Sequence, residues 1–309
     1  MKILITGATG FIGKNLAEKL MEDGYDTYAI VRKTSHIDFL KSIGVKLVYG
    51  DITKKEISES LFGYSFDVIY HCAGLVSIWN RKRLHRVNVT GSENICKLSV
   101  KLGVKKLIYL SSVSVVSGNE TEPITDYLPY KATNIYGKSK LEAEKKVIEF
   151  RNKGLSVAIL RPCMVYGEGE PHFLSQLLFL LKHRSIPLID GGKNKWHLVY
   201  IKNLVDALIM ALKKDEFLTG TFLVADDEVL TVKEILDILS KSVDAVPPVK
   251  LPGWCTPAIT KTPFLGEYFR YFLKNRVYDT SRLRTIGYKA RYRADAALAK
   301  TARHWLKSH

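Results

Sequence analysis

Short apolar runs rich in β-branched and aromatic residues recur through the first half of the chain, at residues 2–6, 27–31, 45–49, 68–71, 106–111 and 156–160. Their length and composition predict buried strands. Between them, over residues 15–21, 84–102 and 136–151, apolar positions fall three and four apart, which is helical spacing. Strand and helix therefore alternate, the pattern of a parallel sheet covered by helices on both faces. Right-handed crossovers bring the carboxyl ends of such strands to one edge, where doubly wound sheets bind ligands.

Past Gly167 the alternation weakens, and Pro171, Pro187, Pro247, Pro248, Pro252, Pro257 and Pro263 punctuate the chain. The expected architecture is α/β, a Rossmann doubly wound parallel sheet with a smaller, irregular C-terminal substrate lobe. The dinucleotide-type domain is expected over residues 1–166, rejoined by a strand and helix within 198–214. The lobe then takes 167–197 and 215–309.

The chain has 309 residues, of which 46% are hydrophobic and 25% charged, a balance that favours a large core over disorder. Its net charge of +16 is unevenly placed: from Lys261 onward twelve Lys/Arg stand against three Asp/Glu. Such a field attracts nucleic acid, anionic membranes or phosphorylated ligands, but a basic run is more often a solvated face. The aromatic, basic stretch Tyr268, Phe269, Arg270, Tyr271 and Phe272 reads as a helix of the substrate lobe, with peripheral membrane contact as the lesser alternative. No RNA-binding aromatic motif accompanies it, and no nucleic-acid partner is expected. Cys72, Cys96, Cys163 and Cys255 lie far apart without zinc spacing, so reduced thiols and no metal site are expected. Met1 leads almost directly into the first apolar run, with no export signal ahead of it, and no apolar stretch approaches the ~20 residues of a spanning helix. A cytoplasmic protein is expected.

The first strand runs into Gly7, Thr9, Gly10, Phe11, Ile12 and Gly13, which open the first helix. A glycine-rich turn in that position lets backbone amides approach a pyrophosphate, and the helix amino terminus adds unpaired donors and partial positive charge. After the second strand, where a carboxylate would grip the ribose hydroxyls of NAD, the chain has Arg32, Lys33, Thr34 and Ser35. A cationic fork there favours the 2′-phosphate of NADP, with NAD as the alternative.

Tyr136 and Lys140 are four apart in a helical stretch, one turn apart on one face. A free tyrosine titrates near 10, and a cation about 4 Å away favours phenolate by up to ~4 kcal/mol at an effective dielectric of about 20. That shift, up to roughly three pKa units, brings a phenol into the range of a general acid or base.

The octapeptide TGATGFIG resembles the cofactor loop of the extended short-chain dehydrogenase/reductase family, within the NAD-dependent epimerase/dehydratase superfamily, and further motifs follow in that family's order. Asp51 and Ile52 match its adenine contact, and Cys72, Ala73 and Gly74 its pyrophosphate contact. RVNVTGSE carries Asn88, YGKSK gives Tyr136 and Lys140, and RPCMVYG contributes Pro162 and Val165. The resemblance implies a catalytic triad of Ser112, Tyr136 and Lys140, with Ser111 as the fallback for the serine. Lys140 also meets the cofactor in that family. It implies a small-molecule substrate and a homodimer through helices 84–102 and 136–151.

The family includes dihydroflavonol-reductase-like and 3β-hydroxysteroid-dehydrogenase-like oxidoreductases as well as nucleotide-sugar epimerases and dehydratases. Sugar-nucleotide members often carry Asn where this chain has Met164, and Arg-Asp where it has Trp196 and His197. Hydride transfer between NADP and a carbonyl or hydroxyl carbon is the expected activity. A nucleotide-sugar epimerase with tightly held NAD is the alternative, although Lys195, Arg270 or Arg276 remain candidates for a diphosphate. A non-catalytic dinucleotide sensor or nucleic-acid-binding relative is the further one.

Overall fold

A computed structural model describes residues 1–59, 61–77, 79–183, 186–251, 254 and 273–308. Cys255, Arg270 and the Tyr268 to Phe272 stretch lie outside the described residues.

The elements run β1 (Lys2–Thr6), α1 (Phe11–Glu22), β2 (Asp26–Val31), α2 (Asp38–Ser42), β3 (Lys46–Tyr49) and β4 (Val68–His71). Then come α3 (Arg81–Leu84), a π-helical turn (His85–Thr90), α4 (Gly91–Lys101), β5 (Lys106–Leu110), α5 (Ile135–Asn152), β6 (Val157–Pro162) and β7 (Met164–Tyr166). The remainder is α6 (Phe173–Lys182), β8 (Pro187–Ile189), β9 (Lys195–Tyr200), α7 (Ile201–Lys213), β10 (Thr221–Val224), β11 (Val229–Thr231), α8 (Val232–Ser242), β12 (Val249–Leu251), α9 (Ser281–Thr285) and α10 (Ala294–Ser308).

Seven strands form one sheet in the order β10-β6-β5-β4-β1-β2-β3, with every neighbouring pair parallel. This is the Rossmann-type α/β fold. Strand alternation explains why both faces are covered. Ile3, Ile5 and Ile108 pack into one core with Leu16, Leu20 and Leu208, while Leu4, Leu107 and Tyr109 enter another with Ile95, Leu98 and Val147. The strand order reverses between β1 and β4, and the carboxyl ends of those two strands frame the crevice.

Two expectations are corrected. Residues 198–200 do not rejoin the main sheet. β9 is the centre of a separate three-stranded sheet, paired parallel to β7 and antiparallel to β11, and the seventh strand is β10, whose Thr221 to Val224 pair with Ile159 to Pro162. Helix α7 carries the chain across the sheet between them, so the returning helix was legible but its strand lay twenty residues later. The single helix expected over 84–102 contains the π-helical turn, an insertion that hydrophobic spacing does not reveal and that is frequent at functional sites. A two-stranded parallel ribbon of β8 and β12 completes the smaller lobe. No described helix is long and apolar enough to cross a membrane.

Candidate active site

The phosphate-type turn joins β1 to α1. Gly7 adopts φ +76°, and a Cβ on Gly13 would stand 2.1 Å from the Gly7 carbonyl oxygen, so the helix can start this close to the strand only without side chains there. Gly10 precedes α1 with no side-chain cap, which leaves the amides of its first turn for an anion. Thr9, Phe11 and Ile12 are half-buried around it. Across the crevice, Cys72 donates its backbone N–H to the Thr6 carbonyl at 3.1 Å and Ala73 N–H reaches Thr6 Oγ1 at 3.3 Å. The turn and the end of β4, continuing to Gly74, are thereby held side by side.

Beneath them, buried His71 bridges Thr6 Oγ1 at 2.7 Å and Ser92 Oγ at 2.9 Å. Burial pulls its imidazole down to about 3, so the ring stays neutral and serves as a fixed hydrogen-bonding spacer. Asn88, in the π-helical turn, accepts from Leu75 N–H at 2.7 Å and donates to the Leu75 carbonyl at 3.0 Å and to Ser139 Oγ at 2.9 Å. It ties the loop after Gly74 to α5. At the far side Asp51 accepts from Thr53 N–H at 2.9 Å, and Asn94 donates to the Ile52 carbonyl at 2.8 Å. Arg32 and Lys33 stand exposed in the turn after β2, which Ser35 closes onto Arg32 through 2.9 and 3.2 Å hydrogen bonds.

Helix α5 starts where Asn134 accepts the Gly137 N–H at 2.7 Å, an N-cap that fixes Tyr136 in the first turn. A Cβ on Gly137 would fall 2.8 Å from the Ser114 carbonyl oxygen. That close approach sets half-buried Tyr136 beside the loop carrying Ser112. Ser112 Oγ accepts from Ser114 Oγ at 2.9 Å and from Ser114 N–H at 3.2 Å, so among the described residues its own hydroxyl hydrogen is left for a ligand. Ser111 is differently employed, since its hydroxyl donates to the buried Glu144 carboxylate.

Lys140 is buried, donates from Nζ to the Leu110 carbonyl at 2.8 Å, and lies 4.5 Å from the centre of the Tyr109 ring. Burial pulls its ammonium down to about 8, against the opposing pull of Glu144. Glu144, one turn further along α5, also accepts from Tyr130 OH at 2.7 Å and pairs with Arg161. Sequence reasoning missed Glu144 and Tyr130. Glu144's spacing of four from Lys140 was a usable signal, but nothing local announces that β6 supplies the partner. Pro162 ends β6 against Val224, and Val165 lies in β7 opposite Val199.

Residues 3–225 match the NAD dependent epimerase/dehydratase family. The chain is 29% identical to a UDP-glucose 4-epimerase of Vibrio cholerae over 99% of its own length and 96% of that protein's. It is 28% identical to a 2-alkyl-3-oxoalkanoate reductase of Stenotrophomonas maltophilia, covering 79% of this chain and 76% of the relative. The crystal structure of UDP-glucose 4-epimerase with UDP-glucose from Thermotoga maritima superposes with a TM-score of 0.83 at 22% identity, over 100% of this chain and 99% of that one. That likeness is one of fold.

Proposed function

The chain belongs to the NAD dependent epimerase/dehydratase family, and from that premise we propose that it is an NADP-linked reductase or dehydrogenase acting on a carbonyl or hydroxyl carbon. The observation that carries the reading is the close seating of the start of α5 on the Ser112 loop, with buried Lys140 one turn behind Tyr136. Among the described residues, the uncapped start of α1 and the bare backbone at Gly7 fit a pyrophosphate. The nicotinamide, when bound, supplies or takes the hydride.

Ser112 donates its hydroxyl hydrogen to the substrate oxygen and orients it. Tyr136 gives that oxygen a proton during reduction and takes it back during oxidation. Lys140, one turn along the same face of α5, holds positive charge on the phenol's side of the helix and stabilises its anion. Arg32 and Lys33 support the NADP reading, as exposed cations in the turn after β2, which lacks a carboxylate that would repel a 2′-phosphate.

A second reading, nucleotide-sugar epimerisation with retained NAD, is favoured by the near full-length match to the Vibrio cholerae protein. Trp196, buried in the position where sugar-nucleotide relatives often carry arginine, weighs against it. The two are separated by identifying the dinucleotide that copurifies and following absorbance at the reduced-nicotinamide band with ketones, aldehydes and UDP-hexoses. Net NADPH oxidation supports the first reading. Tightly held NAD with epimer formation and no net redox replaces it with the second.

A homodimer through α4 and α5 is part of the same proposal. The exposed positions there are largely charged, among them Lys97, Lys101, Lys138, Glu142, Lys145 and Glu149, so its association should depend on salt.

A further inference from the structure

A cavity of about 90 Å³ opens in the smaller lobe between α6, β8, β9 and α8. Leu177 and Leu180 of α6, Leu188 of β8, Trp196 of β9 and Ile235 and Leu236 of α8 line it. Among its described lining residues none is charged, and the polar side-chain groups are the Asn194 amide and the Trp196 indole N–H.

The cavity is joined to the catalytic loop by a short series of contacts. Trp196 bridges Arg276, whose backbone N–H donates to the Lys195 carbonyl at 2.8 Å and whose carbonyl accepts from His197 N–H at 2.8 Å. The Arg276 guanidinium donates through Nη1 to the Ser117 carbonyl, Ser117 Oγ reaches the Ser114 carbonyl at 3.4 Å, and Ser114 bonds Ser112. The buried wall and the serine that orients the substrate oxygen thus belong to one connected structure.

Among the described residues, the cations flanking the chamber have other partners or face solvent, Lys233 beside Gly192 being paired with Asp237. Lys195 is exposed, and Arg276 is buried with its guanidinium engaged on Ser117. A nucleoside diphosphate would bring at least two negative charges beside walls of leucine and isoleucine, and buried charge without a paired cation is strongly disfavoured. An alkyl chain meets no such penalty, and each methylene it buries improves affinity.

We infer that this chamber receives the apolar tail of the substrate, an alkyl or branched-alkyl ketone or the corresponding alcohol, while the reacting carbon lies at Tyr136 and Ser112. The inference rests on the reductase reading for the location of the reacting carbon, but the chamber's preference is testable without turnover.

The cofactor-loaded enzyme is titrated calorimetrically with 2-alkanones of increasing length and, in parallel, with UDP. Affinity should rise roughly fourfold per added methylene until the chamber is filled, with no competition from UDP. Val232→Trp places a large ring in the chamber from the first turn of α8, where Val232 is only half-buried, and should flatten the series while leaving cofactor affinity unchanged. Leu180→Ala enlarges the chamber and should move the plateau to longer chains, so the idea stays testable if the tryptophan variant does not fold. A series that is flat or absent in the wild type, UDP that displaces the alkanone, or a plateau unmoved by Leu180→Ala overturns the assignment. NADPH oxidation by the same ketones is scored separately: binding without oxidation removes the reductase reading and leaves the chamber's preference standing.

Discussion

Glu144 of α5 and Arg161 of β6 form an ion pair with both side chains buried, Arg161 Nε lying 3.1 Å from Glu144 Oε2. The pair stands one turn from Lys140 and also receives Ser111 and Tyr130. It clamps the helix carrying Tyr136 against the strand beside β5.

Removing one partner of a buried pair leaves an uncompensated charge, which costs about 3–5 kcal/mol. Glu144→Gln should therefore lower unfolding free energy in urea by that order, and Glu144→Leu combined with Arg161→Met should lose less than either single change. A Glu144→Gln protein within about 1 kcal/mol of wild type would show that the clamp contributes little.

Tyr136→Phe keeps the ring and deletes the proton donor. Turnover should fall roughly 10²- to 10⁴-fold with dinucleotide affinity unchanged, as read by fluorescence titration. Comparable losses of affinity and turnover would mean that the hydroxyl holds the cofactor instead of moving a proton.

The two adjacent serines make opposite predictions. Ser112→Ala should lower kcat with little change in melting temperature, because its hydroxyl is free to orient substrate. Ser111→Ala should lower the melting temperature, because it strips a donor from buried Glu144, and spare more of the activity. The reverse pattern would exchange their roles.

Arg32→Glu should weaken NADPH binding by about ten- to a hundredfold, the range of one charge-assisted contact, and leave NADH binding nearly unchanged. Equal losses for the two dinucleotides would remove the basis for an NADP preference.

Asp226, two residues past β10, is fully buried, accepting from Tyr166 OH at 2.9 Å, Asn203 Nδ2 at 2.8 Å and Tyr200 N–H at 2.9 Å. Burial raises its carboxyl from an ordinary 3.8 to about 6, against the pull of those donors. The folded state therefore holds this proton more tightly than the unfolded chain. Its contribution is most favourable below about pH 4 and is lost as pH rises through about 6, a change of roughly 3 kcal/mol. Subtracting the stability of Asp226→Asn from that of wild type across pH 4–7 should isolate this falling slope. A flat difference would place the group's titration elsewhere.

The sequence by itself determined the alternating strands and helices, the glycine turn between β1 and α1, and the one-turn spacing of Tyr136 and Lys140. Each is written in neighbouring positions, since strand and helix periods and glycine's freedom act within a few residues. Tertiary structure alone decided that Glu144 meets Arg161, that Ser111 turns inward while Ser112 does not, and that Asp226 gathers Tyr166, Tyr200 and Asn203. It also decided that β10, not the start of the 198–212 segment, completes the main sheet, and that Trp196 lines an apolar chamber. Those outcomes depend on which distant strands become neighbours. Burial then multiplies the energetic weight of every polar contact formed between them, a quantity that no local pattern of residues encodes.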